Sequence, residues 1–194
     1  MNGPDPAPDL GGERKVDRER RRLIVWLWRL PVLTALGGGG YGLYRAYRLH
    51  FGKRAPSTNP RFSPRPEVWV AGVAEFTEVW AERNFTIGVT PSVALRVPRP
   101  VPGGLSPGED LHLVAFSRIC THQGCLVTLN RNLEAVAVAF NHRTEVPALT
   151  CACHLTVFAP DRAGRAVSGP AVLPLPRVRL ETRSGELWAT GVES

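Results

Sequence analysis

All four cysteines of this 194-residue chain fall in two short segments, Cys120-Thr121-His122-Gln123-Gly124-Cys125 and Cys151-Ala152-Cys153-His154, and each segment also carries one histidine. Any fold for this chain must therefore present two loops whose soft donors serve one chemistry. Four thiols and two imidazoles exceed the four ligands that a tetrahedral ion takes, so a single zinc site leaves two groups over. A zinc site plus a disulfide would use the same residues, but two such loops at this spacing are not the usual zinc-ribbon pattern. Nothing else in the chain resembles a nucleophile with an oriented base, and Gly37–Gly40 lacks the Lys and following helix of a phosphate loop.

From Val68 onward the sequence breaks into short β-rich runs punctuated by Pro and Gly, without long helical periodicity. The runs are Val68–Val73, Phe85–Thr90, Val93–Val97, Leu111–Ser117, Val127–Leu129, Ala135–Phe140, Val178–Thr182 and Glu186–Thr190. The Pro- and Gly-rich stretch Pro98–Asp110 reads as a long hairpin loop. Strand spacing of this kind predicts an all-β domain of sandwich or small-barrel size.

The chain carries a formal charge of +7, and its location matters more than its size. Residues 1–54 hold eleven Lys/Arg against five Asp/Glu, whereas residues 55–194 hold thirteen against twelve. The nearly neutral head lacks the basic face that neutralises phosphates, so no nucleic-acid partner is expected. Met1–Gly12 is rich in Pro, Gly and Asp, and with the basic run Glu13–Arg22 it is expected to form a disordered tail, residues 1–22.

Leu23–Tyr44 follows, and its 22 residues match a hydrocarbon core of about 30 Å at a helical rise of about 1.5 Å per residue. It predicts a single transmembrane helix in which Arg29 snorkels toward the basic side. Arg20-Arg21 followed by Arg22, Leu23 and Ile24 resembles a twin-arginine export signal, with Glu19 where Ser or Thr is usual. The denser basic cluster before the span predicts a cytoplasmic N-terminus. Residues 45–67, including the Pro- and Ser-rich Ala55–Pro66, are expected to form a flexible linker, and residues 68–194 the head.

The paired motifs, Cys-Thr-His-x-Gly-Cys followed by Cys-x-Cys-His, resemble the cluster-binding loops of Rieske iron–sulfur proteins, and the resemblance covers roughly Val68–Val192. It implies a Rieske-type antiparallel β-sandwich head with a cluster-binding loop subdomain and a 2Fe-2S cluster. By position, Cys120 and Cys151 correspond to the ligands of the buried iron, and His122 and His154 to those of the exposed iron. Cys125 and Cys153 take the places of a disulfide pair, which implies an oxidising compartment. Ser168-Gly169-Pro170-Ala171 resembles the proline loop that covers the cluster.

The departures from the family pattern are also informative. The family usually has Gly-Ser after the second histidine and a Tyr two residues beyond, where this chain has Leu155, Thr156 and Phe158. Thr156 keeps a hydroxyl for a bridging sulfur, Phe158 lacks the one that the tyrosine gives to a cysteine sulfur, and Gln123 replaces a frequent shielding Leu. These three positions are expected to tune the potential, a lost hydrogen bond to sulfur lowering it. If the family glycine serves a backbone angle, Leu155 requires a different local loop.

With its two additional cysteines, anchor and linker, the chain is similar to the Rieske subunit of a quinol-oxidising cytochrome bc or b6f-type complex of a respiratory chain. That resemblance implies a quinol:cytochrome c-type oxidoreductase subunit, single-pass in the cytoplasmic membrane with its head on the outer, periplasmic side. It implies a b-type cytochrome with bound quinol as donor partner and a c-type cytochrome as acceptor. His122 and His154 are the candidates for docking quinol and accepting its proton. The alternative is the Rieske small subunit of a molybdenum oxidoreductase such as arsenite oxidase.

Overall fold

The computed structural model describes the backbone of residues 11–50 and 52–194, and the side chains of residues 19–48 and 52–194. Residues 1–10 of the expected tail lie outside the described residues. The chain divides into two compact units, Met1–Ala46 and Tyr47–Ser194.

Helix α1 runs Gly11–His50, with the basic run Glu13–Arg22 in its first turns and Pro31 in its interior. Within it, Glu19–Arg48 is long and apolar enough to cross a membrane, and none of its apolar window is buried in protein. Leu23, Trp26, Trp28, Leu36 and Leu43 are each more than half exposed. A helix apolar on every side has no single core-facing stripe, so it suits an apolar surrounding better than a protein surface.

The head comprises β1 (Phe62–Gly72), β2 (Glu82–Ile87), β3 (Thr90–Val97), β4 (Leu105–Gly108), β5 (Leu111–Ser117), β6 (Thr128–Asn130), α2 (Leu133–Ala139), β7 (Ala148–Cys151), β8 (Thr156–Ala159), β9 (Arg165–Ser168), β10 (Arg177–Arg183) and β11 (Glu186–Glu193). Seven strands form one antiparallel sheet in the order β1-β11-β10-β5-β3-β2, with β4 also paired to β5. Its end strands β1 and β2 approach one another, so the sheet is nearly closed. The other four form a small sheet, β6-β7-β8-β9.

The small sheet is an insertion. The chain leaves the large sheet at Ser117 and returns at Arg177, where Arg177 pairs with Phe116 and the Ser117 N–H donates to the Pro176 carbonyl at 2.8 Å. Strand alternation decides what the insertion packs on. Val93, Leu95 and Val97 of β3 and Val114 and Phe116 of β5 share one core with Cys120, Cys151 and Phe158 of the insertion. Ala94, Leu113 and Ala115 point the opposite way, into the core enclosed by the large sheet. Both faces of β3 and β5 are thus buried, which is why these two runs are almost uninterruptedly apolar.

Several expectations change. Helix α1 covers residues 11–22 of the expected disordered tail and 45–50 of the expected linker, and the stretch Pro98–Asp110, read as a hairpin loop, contains β4 paired with β5. Ala135–Phe140 is not a strand: Leu133–Ala139 is helical, capped by the Asn132 side chain, which accepts from the Ala135 N–H at 3.0 Å. Val136 and Phe140, four residues apart, face the core while Val138 is 80% exposed, a helical spacing hidden in a Val-Ala alternation. The run Phe85–Thr90 is cut by a two-residue turn, Gly88-Val89, with Gly88 at φ +61°, so β2 starts earlier and β3 opens at Thr90. Strand β1 opens at Phe62, within the stretch read as linker and despite Pro64 and Pro66. It is hydrogen-bonded only to β11, and an edge strand tolerates residues without an N–H.

The neck of the insertion holds a buried ion pair. The Arg177 side chain is fully buried and donates to both carboxylate oxygens of Glu193, at 2.8 and 2.6 Å, and to the Pro102 carbonyl at 2.6 Å. Burial alone raises the pKa of Glu193, but the hydrogen bonds and charge of Arg177 outweigh it and hold the carboxyl below its ordinary value. The stabilisation from this shift is therefore full above the ordinary carboxylate range and is lost as pH falls through the folded-state value. Glu193→Ala, which leaves a buried guanidinium uncompensated, is expected to cost about 3–5 kcal/mol in urea unfolding near pH 7. The difference between wild type and variant should shrink as the titration is repeated toward about pH 3, and an undiminished gap there contradicts the role given to the carboxylate.

Candidate metal centre

Two loops and one crossing segment meet at the tip of the insertion. The first loop folds on itself through Cys120 N–H to Cys125 C=O at 2.8 Å, Gly124 N–H to Cys120 C=O at 2.9 Å and Val127 N–H to Arg118 C=O at 2.8 Å. Gly124, at φ +76°, supplies the left-handed turn that lets Cys125 double back. The second loop is the β7–β8 hairpin, in which Cys151 is in register with Thr156 and Ala152–Leu155 form the connection. Leu155 takes φ +53°. The leucine thus holds a left-handed angle that a glycine would adopt freely, and the loop keeps a glycine-like course despite the side chain.

The crossing segment is Ser168-Gly169-Pro170-Ala171. A Cβ on Gly169, itself at φ +79°, would stand 2.6 Å from both the Leu155 carbonyl oxygen and the Thr156 Cα, so only a glycine passes here. The Thr121 hydroxyl donates to the Leu173 carbonyl at 2.8 Å and ties the first loop to the same segment. From the N-terminal side, the Lys53 ammonium donates to the carbonyls of Gly169 and Ala171, and the Arg54 N–H to that of Val172 at 2.8 Å. Sequence reasoning missed this clasp because a basic residue after a hydrophobic span reads as an ordinary charged flank.

Cys125 and Cys153 are joined as a disulfide that bridges the two loops. Cys120 and Cys151 are free thiols, 3% and 1% exposed. The imidazoles of His122 and His154 stand edge to face with centroids 4.7 Å apart, His154 exposed and His122 partly so. Gln123 is exposed beside them, whereas Thr156 and Phe158 lie buried beneath. The sulfurs of Cys125, Cys151 and Cys153 lie within 4.8 Å of one another, but two of them are bonded together, so this trio is not a metal site.

The donor set has the chemistry of a two-iron group. Burial pushes the Cys120 thiol pKa up, the His122 N–H pulls it down, and the neighbouring Cys151 thiol adds to the rise. Two thiolates this close and this buried require a cationic centre to hold them. His122 Nδ1 and Thr156 Oγ1 are buried without a hydrogen-bond partner among the described residues. Such orphans are rare in native interiors, and an iron–sulfide group held by these residues would offer both a partner.

Residues 73–179, more than half of the chain, match the family model of the Rieske [2Fe-2S] domain. The chain belongs to that family. As a Rieske protein it binds a 2Fe-2S cluster and is an electron-transfer component of an oxidoreductase. Over 91 residues it is 36% identical to the iodate reductase subunit IdrB of Denitromonas iodatirespirans, covering 47% of this chain and 43% of that protein. Over 75 residues it is 32% identical to the cytochrome b6-f complex iron-sulfur subunit of Chlorobaculum tepidum, covering 39% and 33%. The Rieske chain thus matches less than half the length of these relatives. Among solved structures it is similar to the soluble domain of Rieske protein II from Sulfolobus acidocaldarius, with a TM-score of 0.48 and 23% identity over 66% of this chain and 78% of that one.

The disulfide joins residues separated by 28 positions, for which loop-closure entropy alone is about 3 to 4 kcal/mol. Replacing both Cys125 and Cys153 by Ser should raise amide exchange selectively at residues 121–126 and 152–155 while β3 and β5 keep their protection. Equal loosening of tip and sheet would show that the bond supports the whole head and not the two loops.

Proposed function

We propose that this Rieske protein is the membrane-anchored one-electron carrier of a quinol:cytochrome c-type oxidoreductase, with Cys120 and Cys151 ligating one iron and His122 and His154 the other. The observation that carries the reading is the opposite burial of the two donor pairs: both thiols lie in the core and both imidazoles reach the surface. The bound 2Fe-2S group supplies one-electron oxidation and reduction. His154, the more exposed imidazole, meets the quinol hydroxyl, accepts its hydrogen bond and takes its proton, with His122 beside it as the second candidate. The Cys125–Cys153 disulfide holds the two loops at fixed separation, and Gly169 lets the proline segment close over them. Residues 23–44 serve as the anchor, with the tail 1–22 on the cytoplasmic side and the head, residues 68–194, outside. A b-type cytochrome with its quinol would be the donor partner and a c-type cytochrome the acceptor.

A second reading is favoured by one specific feature. A quinol shuttle needs a head free to move against its anchor, yet Lys53 and Arg54 are bound to the proline segment and β1 begins at Phe62, so Ala55–Arg61 is fastened to the head at both ends and adds no reach to the anchor. A fixed relay in a terminal oxidoreductase, of the kind suggested by the likeness to the iodate reductase subunit, needs no such movement. Purifying the tagged full-length chain with its complex in mild detergent separates the two. Haem b and quinol-dependent cytochrome c reduction support the first reading, and molybdenum without haem b replaces it with the second.

Two variants test the site. Cys151→Ser and His154→Cys should each abolish the Rieske EPR signal, and a normal spectrum in either would unseat the ligand assignment. Phe158→Tyr is expected to raise the midpoint potential. The ring is fully buried in the core that also contains Cys120 and Cys151, and the left-handed Leu155 keeps the hairpin in a glycine-like course. A hydrogen bond to sulfur of about 1.5 kcal/mol corresponds to about 65 mV upward in voltammetry near pH 7. An unchanged or lowered value would remove Phe158 from the tuning residues.

A further inference from the structure

One cavity of the head has no part in the chemistry described above. It has a volume of about 590 Å³ and is lined on different sides by Lys53, Arg99, Arg143, Arg162 and Arg165. Arg99 is paired with Asp161 at 3.1 Å, and Lys53 is engaged with the proline segment. Arg143, Arg162 and Arg165 have no hydrogen-bond or ion-pair partner among the described residues. The carboxylates in the lining are Glu145 and Asp161, so positive charge prevails. Burial and then the charge of Arg162 lower the pKa of His142, which disfavours a further positive charge there. We infer that this cavity binds the phosphate of an anionic lipid headgroup, phosphatidylglycerol in type, held by Arg143, Arg162 and Arg165.

Three observations select that chemistry. Guanidinium groups that line one cavity without ion-pair partners leave positive charge in excess of Glu145 and Asp161, and a tetrahedral oxyanion satisfies planar N–H forks of this kind. The volume exceeds what a lone phosphate fills and falls in the range of small-molecule sites. In the same wall, Asp161 Oδ1 is buried without a hydrogen-bond partner, an acceptor in place for a hydroxyl such as a glycerol headgroup carries. The source of the ligand follows from chain length and rests on the anchor reading. Lys53 lies nine residues beyond Tyr44, the end of the anchor, so chain length keeps this part of the wall within about 32 Å of that end.

The test is calorimetric titration of the full-length, cluster-loaded protein in a neutral detergent with short-chain phosphatidylglycerol, short-chain phosphatidylcholine or inorganic phosphate. Binding in detergent does not depend on whether α1 spans a membrane, and alkaline extraction of native membranes checks the anchor separately. Saturable binding of phosphatidylglycerol, with phosphatidylcholine and inorganic phosphate weaker by about tenfold or more, is the expected result. In the triple variant Arg143→Gln/Arg162→Gln/Arg165→Gln that binding should weaken by about tenfold or more while the EPR signal is unchanged. Arg143, Arg162 and Arg165 are exposed side chains, so the variant keeps the core intact. Inorganic phosphate binding as tightly as the lipid would overturn the lipid assignment in favour of a free-phosphate site. Absence of saturable binding, or full retention of it in the triple variant, would overturn the site itself.

Discussion

The ion pair between Arg177 and Glu193 lies where the tip-bearing insertion rejoins the large sheet, and its geometry fixes more than the two residues it joins. The guanidinium binds the carboxylate through two of its nitrogens and the Pro102 carbonyl through a third, so β10, the end of β11 and the loop after β3 converge on one buried cation. Gly103 completes the arrangement, since a Cβ there would stand 3.3 Å from the arginine side chain and 2.8 Å from Pro60. A buried charge of this kind is tolerable only with all its partners in place, so the neck has one permitted geometry. The metal-binding loops inherit their orientation from that neck, because Ser117 and Pro176 are hydrogen-bonded to one another at its two ends.

Above the neck, the site combines rigid parts with one strained residue. The β7–β8 hairpin sets Cys151 and Thr156 opposite each other, and the disulfide sets Cys125 against Cys153. Between them Leu155 holds a left-handed backbone that costs a non-glycine residue about 1–2 kcal/mol. The close passage of Gly169 over the Leu155 carbonyl and the Thr156 backbone places the crossing segment directly against this angle. Half of the Leu155 side chain remains exposed, which leaves an apolar edge next to the exposed imidazole of His154. Strain of this kind persists where surrounding contacts over-determine it.

Much of this was legible in advance because cysteine and histidine have few reasons to cluster. The paired motifs marked both loops, and the disulfide partners are those the family resemblance implied. The strands of the large sheet were legible where alternation or continuous burial left a clear pattern, as in β3, β5, β10 and β11. In the small sheet β6 was legible as Val127–Leu129, but β7, β8 and β9 were not: they have four residues each, too few to establish a period, and their burial comes from packing on another sheet. Helix α2 was misread for the same reason, since Val and Ala in alternation satisfy both periods over seven residues and only the Asn132 cap separates them. Leu155 raised the right question, but its answer depended on a contact with Gly169 some distance along the chain.

Charge shows most sharply how a sum differs from an arrangement. Residues 55–194 carry thirteen basic against twelve acidic side chains, a balance that describes a nearly neutral domain. Folding does not distribute them evenly. Glu67 and Glu181 are occupied with Arg183, Glu75 with Arg83 and Glu193 with Arg177, each carboxylate committed to a particular cation. The insertion keeps Arg143, Arg162 and Arg165 unmatched: they come from the segment after α2, from the β8–β9 turn and from the start of β9, and the carboxylates that share the cavity wall with them are Glu145 and Asp161. Lys53 then joins them from the far end of the sequence. A basic cavity wall thus arises in a nearly neutral domain because carboxylates of the large sheet are committed to particular cations while Arg143, Arg162 and Arg165 are not ion-paired among the described residues.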